Sequence, residues 1–330
     1  MEKKKVILDC DPGIDDALAL MLALSSPELQ IAGVTTVSGN VPSEMGAENA
    51  LKVLKFMGRL DIPVYRGAQK PLVRPYVSAQ DTHGKDGLGE SGIPAVKGVS
   101  PKDGAVDFIL RTLRENENLT IIALGPLTNL ALALRKDGNA FRNLDRLVSM
   151  GGNFRSDGNC SPVAEYNYWC DPDAAGEVYK NLGKPIDMVG LDVTRKIVLT
   201  PNIVEYMQDL SPRTGRFIRE ITRFYFDFHW RQEKLIGCVL NDPLAVAYAV
   251  DPRICGGFDA CTAIATEGIC IGQSVVDSKN FWHKKPNSHV LTETDPLSFM
   301  TMFVSRIFKK EPGQVKSVLS QIMTGKGEKE

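Results

Sequence analysis

The sequence predicts an α/β protein, a single large domain on an open, mostly parallel, Rossmann-like sheet with helices on both faces. Three observations predict it. Short runs rich in apolar and β-branched residues alternate with helical patterns from the amino terminus onward. The runs are continuously apolar rather than alternating, as strands covered on both faces are. Each run ends in a polar or glycine-containing segment, where open α/β sheets place their ligands. The 330 residues suffice for one such core, and no linker, repeat or low-complexity segment divides them.

The elements follow in order. Residues 6–9 read as the first strand and 15–24 as its helix. A second strand at 31–37 runs into Ser38-Gly39-Asn40, followed by a helix at 47–57 and a short strand at 62–65. Residues 68–100 break the rhythm: they are polar and glycine-rich, and a loop this long predicts an active-site loop carrying His83. The alternation resumes with a helix at 103–114 and a strand at 119–124 that enters Gly125-Pro126-Leu127-Thr128-Asn129. A strand at 144–150 ends in Gly151-Gly152-Asn153. Asp171 caps a helix with Pro172 at its first position, and 186–191 is a further strand. The second half is more helical, with helices at 201–210 and 215–236 and an apolar one after Asn241-Asp242-Pro243. Three β-like runs (260–266, 269–276, 289–292) and a helix after Asp295-Pro296 close the chain.

Composition narrows the function. A formal net charge of −1 gives no broad basic surface for nucleic acid. No apolar run reaches membrane-spanning length, and the opening Met-Glu-Lys-Lys-Lys lacks a signal-peptide core after it, so a cytoplasmic protein is expected. The seven cysteines are scattered and read as free thiols of a reducing compartment. The histidines His83, His229, His283 and His289 show no metal-ligand spacing.

The chemistry concentrates at the first strand end, Asp9-Cys10-Asp11-Pro12-Gly13-Ile14-Asp15-Asp16. Any one of these aspartates is explained as a helix cap or a dipole-favoured first-turn acid. Four within eight residues are not, because clustered carboxylates repel and resist burial unless a cation or hydrogen bonds offset them. A hard cation with oxygen ligands, Ca²⁺ or Mg²⁺, is the simplest device that holds them together. The other strand ends add Asn40, Asn159, Glu165, Asn167 and Asp242, oxygen-bearing and acidic or amide. There is no phosphate loop, no dinucleotide fingerprint and no converging basic residue. A polyhydroxylated, uncharged ligand suits this set better than a phosphorylated one.

Asp9 to Asp16 resembles the amino-terminal signature of the nucleoside hydrolases, the inosine-uridine-preferring family. The likeness continues through Val37-Ser38-Gly39-Asn40, the Gly125 turn, Ser149-Met150-Gly151-Gly152, Ala164-Glu165-Tyr166-Asn167 and Asn241-Asp242-Pro243. It implies Ca²⁺-dependent hydrolysis of the N-glycosidic bond of a ribonucleoside by a homodimer or homotetramer. Asp11, Asp16, the carbonyl of Leu124 and Asp242 would then hold the ion, and Asp11 would be the general base for water. Asp15, Asn40 and Asn167 would bind the ribose 2- and 3-hydroxyls, Asn159 and Glu165 the 5-hydroxyl side, and Met150 would pack beneath the sugar. One departure stands out: many members carry a histidine just before the late aspartate, and this chain has Asn241. The acid for the leaving base is therefore sought at His83, or at His229 with Tyr225 on the aromatic helix. Two rival readings accompany this one. The paired Asp9 and Asp11 have the spacing of aspartyl-nucleophile phosphatases, and Asn241 would also suit a Ca²⁺-dependent ribose-binding protein without catalysis.

Overall fold

The computed structural model describes residues 3–324. Its strands, in chain order, are β1 (Lys4–Cys10), β2 (Leu29–Thr36), β3 (Val64–Arg66), β4 (Lys102–Asp103), β5 (Leu119–Ala123) and β6 (Leu144–Met150). They continue with β7 (Ile186–Val189), β8 (Val198–Leu199), β9 (Cys238–Val239), β10 (Cys255–Ile264), β11 (Ser274–Asp277) and β12 (Ser288–Thr294). Among the described residues, ten form one sheet in the order β11-β10-β12-β7-β6-β5-β1-β2-β3-β4. Every pairing from β12 to β4 is parallel, and only β10 pairs antiparallel, with β11 and β12. The strand order reverses at β1, which lies between β2 and β5. The crevice at such a reversal is where doubly wound sheets bind ligands.

The pleat divides the interior into two cores. Val6, Leu8 and Cys10 of β1 pack into one apolar cluster with the helices Ile14–Leu24 and Asn241–Val250, while Ile7 faces the other. β5 repeats the division, Ile122 on one side and Ile121 and Ala123 on the other. Asp9 shares its face of the pleat with Ile7, so it looks away from Cys10 before the chain leaves the sheet.

Most expected elements are present with shifted ends. The aromatic helix is Pro212–Glu233, started by Ser211, whose hydroxyl accepts from the Thr214 N–H. The helix expected from 103 begins at Ala105, because Asp103 is used in edge strand β4 and Gly104 turns the chain at φ 90°. The run 269–276 is not one strand: Gly268 and Gly272 take positive φ, Ile269 is 96% exposed, and extended structure begins only at Ser274. The antiparallel pairing of β8 with β9, across the two helices between them in the chain, and the helix Pro312–Thr324 are elements the sequence pattern does not predict.

Residues 68–100 are irregular apart from the short helix Gln80–His83, yet their first part is laced to the strand ends. Ala68 N donates to Asn129 Oδ1, Leu72 N to Asp171 Oδ2, Tyr76 Oη to the Gly39 carbonyl and Ala79 N to the Asn40 carbonyl.

Helix packing against the sheet is close at Gly33, where a Cβ would lie 2.6 Å from the Phe108 ring. Gly33→Val should therefore lower the unfolding free energy by about 1–3 kcal/mol through overpacking. Urea unfolding checks this, with an unchanged midpoint as the contrary result.

Candidate active site

The site is assembled where β1 runs into the helix Ile14–Leu24. Asp16, at the third position of that helix, folds back as a cap: it accepts from Asp11 N at 3.1 Å and Gly13 N at 2.9 Å. Asn40, at the end of β2, reaches both neighbours. Its backbone N–H donates to Asp11 Oδ2 at 2.6 Å and its Nδ2 to Asp16 Oδ2 at 3.0 Å. Asp11 occupies a slot that two glycines keep open. A Cβ on Gly39 would collide with its Oδ2, and one on Gly125 would lie 2.6 Å from its Oδ1. These clearances are a physical reason for glycine in both strand-end motifs. Oδ1 of Asp11 is buried and has no partner.

Asp242 approaches from the first turn of the helix Asn241–Val250. One oxygen each from Asp15, Asp16 and Asp242 lies within 4.8 Å of the others. Asp11 is joined to this trio through Asp16 and Asn40 rather than by being one of it. Of the expected set of Asp11, Asp16, Leu124 and Asp242, Asp16 and Asp242 lie in this trio together with Asp15, Asp11 stands beside it through Asp16, and Leu124 borders the cavity above. The Leu124 carbonyl accepts from Asn167 Nδ2 at 2.8 Å, and the same nitrogen reaches the Met150 carbonyl at 3.1 Å.

Burial is the dominant electrostatic fact. It pushes Asp9, Asp15 and Asp16 up to about 6 each, and Glu165 to about 7. Asp11 and Asp242 are raised well above the carboxylate range, first by burial and then by the neighbouring aspartate charges. Among the described residues, no lysine or arginine forms an ion pair with any of them. Asp9 Oδ2, Asp11 Oδ1 and Asp15 Oδ1 are buried acceptors without donors. Crowded oxygens short of positive charge fit a hard divalent cation, and the absence of sulfur or imidazole in the trio disfavours a soft one.

A cavity of about 780 Å³ opens above these groups. Asp15, Leu124 and Asp242 border it, with Asn40, Met150, Asn159, Glu165 and Asn167 along one wall. Glu165 caps the helix Tyr166–Cys170, accepting from Asn167 N, Tyr168 N and Gly152 N. Asn159 is exposed at the rim, and its Oδ1 accepts from Tyr166 N, which leaves its amide N–H₂ free. His83, Tyr225, His229 and Asn241 also line the cavity.

Two expected acids are corrected here. Nδ1 of His83 accepts from Ile14 N at 3.1 Å, at the amino end of the helix. Burial lowers its pKa to about 4, so at neutral pH the ring is uncharged and presents Nε2–H as a hydrogen-bond donor. His229 has both nitrogens engaged: Nδ1 bonds the Tyr225 carbonyl at 2.9 Å, and Nε2 accepts from Val239 N at 3.4 Å. It fastens the aromatic helix to β9 and has no proton to offer the cavity.

The phosphatase reading fails on the pleat. Asp9 Oδ1 accepts from Thr35 Oγ1 at 2.6 Å, its direct neighbour in the β1–β2 register, and from Asn129 Nδ2 at 2.8 Å. Arg195, the arginine bordering the cavity, spends its guanidinium on Ser156 and the carbonyls of Asp157 and Gly158. Among the described residues lining the cavity there is no lysine and no other arginine to grip a phosphate.

The family profile described as inosine-uridine preferring nucleoside hydrolase matches residues 6–301. The chain belongs to that family. It is a ribonucleoside hydrolase, an N-glycosidase. A pyrimidine-specific ribonucleoside hydrolase of Salmonella paratyphi B is 36% identical over 306 residues, covering 92% of this chain and 97% of that one. Among solved structures, a plant nucleoside hydrolase superposes with a TM-score of 0.88 at 32% identity, over 92% of this chain and 99% of the other. A purine-preferring ribonucleoside hydrolase from Gardnerella vaginalis gives 0.87 at 33%, over 95% and 99%.

Thr35 and Asn129, which hold Asp9, were not singled out from the hydrolase sequence. Asn129 ends the quoted Gly-Pro-Leu-Thr-Asn turn, so a signal existed; Thr35 is one of many strand threonines and had none.

The raised carboxylates set a testable linkage. A raised folded-state pKa adds stability below the ordinary value of 3.8 that is lost as pH climbs through about 6. A cation binds the ionised form, so it offsets that loss only at the higher pH. Added Ca²⁺ at ~100 times its dissociation constant would contribute about 2.7 kcal/mol, or a Tm gain of about 4 °C near neutrality for a chain of this length. The gain should shrink toward pH ~5. Thermal scans of chelated and Ca²⁺-supplemented protein decide it, and a gain independent of pH is the contrary outcome.

Proposed function

We propose that this ribonucleoside hydrolase is Ca²⁺-dependent and uses Asp11 as the general base that deprotonates the attacking water. The observation that carries the reading is the asymmetry of Asp11: Oδ2 is fixed by the Asn40 N–H, while Oδ1 is free in a slot cleared by Gly125. Asp16 and Asp242, with Asp11 and the Leu124 carbonyl, would hold the ion. A bound Ca²⁺ supplies the positive charge that keeps these carboxylates ionised and gathers hydroxyl oxygens at the cavity floor.

The chain's own groups do the rest. Asp15, Asn40 and Asn167 hold the ribose diol, Asn159 and Glu165 orient the 5-hydroxyl end, and Met150 packs against the sugar. Breaking the C1′–N bond leaves positive charge on the ribose ring. Carboxylates crowded under it stabilise that charge. Asp9, tied to Thr35 and Asn129, supports the strand end without touching substrate. Residues 68–100 form the active-site loop, with His83 as a neutral donor to the base.

The protein is further read as a cytoplasmic enzyme of nucleoside salvage acting as a homodimer or homotetramer. Its seven cysteines all stand free, in keeping with a reducing compartment. Purine and pyrimidine ribonucleosides both enter the assay, since the relatives named above differ in base.

Asp11→Asn keeps the shape of the slot and removes the base. Ribose release from the best ribonucleoside should fall by about 10³-fold. A near-native rate with Ca²⁺ still bound, measured by isothermal titration, would reassign the base.

A further inference from the structure

The acidic turn Asp11-Pro12-Gly13-Ile14 and the loop that carries His83 are far apart in the chain and are joined at two points. One is the bond from Ile14 N to His83 Nδ1 at 3.1 Å. The other is made by a residue that does not border the cavity. Asn49, in the helix Ser43–Phe56, is fully buried. Its Nδ2 donates one hydrogen to the Pro12 carbonyl at 3.1 Å and the other to the Asp86 carbonyl at 2.8 Å. Its Oδ1 accepts from Lys52 Nζ at 3.0 Å. Two carbonyls on one side and an ammonium on the other allow a single orientation of the amide. Both of its hydrogens are therefore used, one on the turn and one on the loop.

The loop depends on such anchors. Gly84, Gly87, Gly89, Glu90 and Gly92 all take positive φ, and a glycine-rich segment loses much freedom when it is held in place. Its own bonds are local: Gly87 N to the Gly84 carbonyl, Gly89 N to the His83 carbonyl, and Leu88 N and Glu90 N to Asp86 Oδ1. They shape the loop without tying it to the acidic turn. That tie comes from His83 and Asn49. The joint is tight, since a Cβ on Gly87 would lie 2.8 Å from Asn49 Nδ2 and 2.6 Å from the Val41 side chain.

We infer that Asn49 is a positioning residue that fastens the His83 loop to the acidic turn, so that order in the loop follows cation occupancy of the turn's carboxylates; this rests on the function proposed above. Asp11 precedes Pro12-Gly13 and Asp16 follows it, and Asp16 accepts from both Asp11 N and Gly13 N. An ion that fixes these carboxylates fixes the backbone between them. With it are fixed the Pro12 carbonyl and the Ile14 N–H to which the loop is tied. Without the ion the crowded charges repel, and both joints lose a firm base. A loop closed in only a fraction of the molecules lowers the apparent affinity for substrate by that fraction and leaves the chemistry of the closed state alone. Loss of Asn49 is therefore read in KM rather than in kcat.

Hydrogen–deuterium exchange over residues 84–90 tests the coupling in the unaltered protein. Saturating Ca²⁺, set by isothermal titration, should slow that exchange by about tenfold relative to chelated protein, with the helix Pro312–Thr324 unaffected. In Asn49→Leu, and in Asn49→Asp, which turns an anion toward two carbonyls, Ca²⁺ should leave exchange at 84–90 unchanged. KM for the best ribonucleoside should rise by about tenfold, the worth of two ordinary hydrogen bonds. The change in kcat should stay below about threefold. Lys52→Met removes the remaining partner of the same amide and should behave as the unaltered protein in both measurements. Gly87→Ala presses on the joint from the loop side and should reproduce the Asn49→Leu pattern, which keeps the test open if the Asn49 variants do not fold. Exchange at 84–90 that ignores Ca²⁺ in the unaltered protein, an unchanged KM in Asn49→Leu, or a loss confined to kcat would overturn the role of Asn49 and leave the hydrolase reading intact. Absence of ribose release from every ribonucleoside, or of Ca²⁺ binding in the titration, by the unaltered protein would instead overturn the proposed function.

Discussion

Six carboxylates, Asp9, Asp11, Asp15, Asp16, Glu165 and Asp242, are buried around one sheet reversal, and among the described residues no cationic side chain is paired to them. The rest of the molecule is arranged to make that tolerable. Backbone N–H groups of Asn40, Gly13, Asp11, Gly152, Asn167 and Tyr168 donate to three of the six, Asp11, Asp16 and Glu165. Side-chain amides from Asn40, Asn129 and Asn241 supply more. Neutral donors lower the energy of a buried anion without cancelling its charge. The arrangement therefore stays short of positive charge, and that shortage is what a cation and a ribosyl ring bearing positive charge both answer.

The pleat gives neighbouring aspartates different work. Asp9 and Asp11 are two residues apart, but the strand ends between them. Asp9 is still in register with Thr35 and is tied by Thr35 and Asn129 into the strand end, while Asp11 lies outside the sheet in the slot beside Gly39 and Gly125. The same reasoning separates Asp15 from Asp16. Asp16 is turned back into its own helix cap, and Asp15 borders the cavity. Chemistry in this site is distributed by where each carboxylate sits relative to an element's last hydrogen bond.

The sheet was legible because buried parallel strands leave an unmistakable apolar mark, and the site because acids and amides recur at the strand ends. Asp242 and Glu165 were placed with Asp15 although more than a hundred residues separate them from it. Helix starts were misplaced where a cap decides them, as at Ser211 and Gly104. The run 269–276 read as a strand from composition, since apolar residues on a glycine-turned surface look the same as buried ones. The two histidines were misread for a different reason. Residue type says that a ring can titrate, but only the structure says that Ile14 N occupies His83 and that Val239 N and the Tyr225 carbonyl occupy His229.

The lacing of residues 68–79 onto the strand-end loops divides the long segment into two parts of unequal freedom. Through Gly39, Asn40, Asn129 and Asp171 the first part shares hydrogen bonds with the cavity walls. Lys97, Gly98 and Val99, near its other end, are exposed, and Gly98 has open space where a side chain would go. Chain length can thus vary at 97–99 with little effect beyond the surface, whereas one residue more or less between 68 and 79 would pull on the loops that hold Asp11 and Asp16. Sequence drift and engineered insertions are confined by the same boundary.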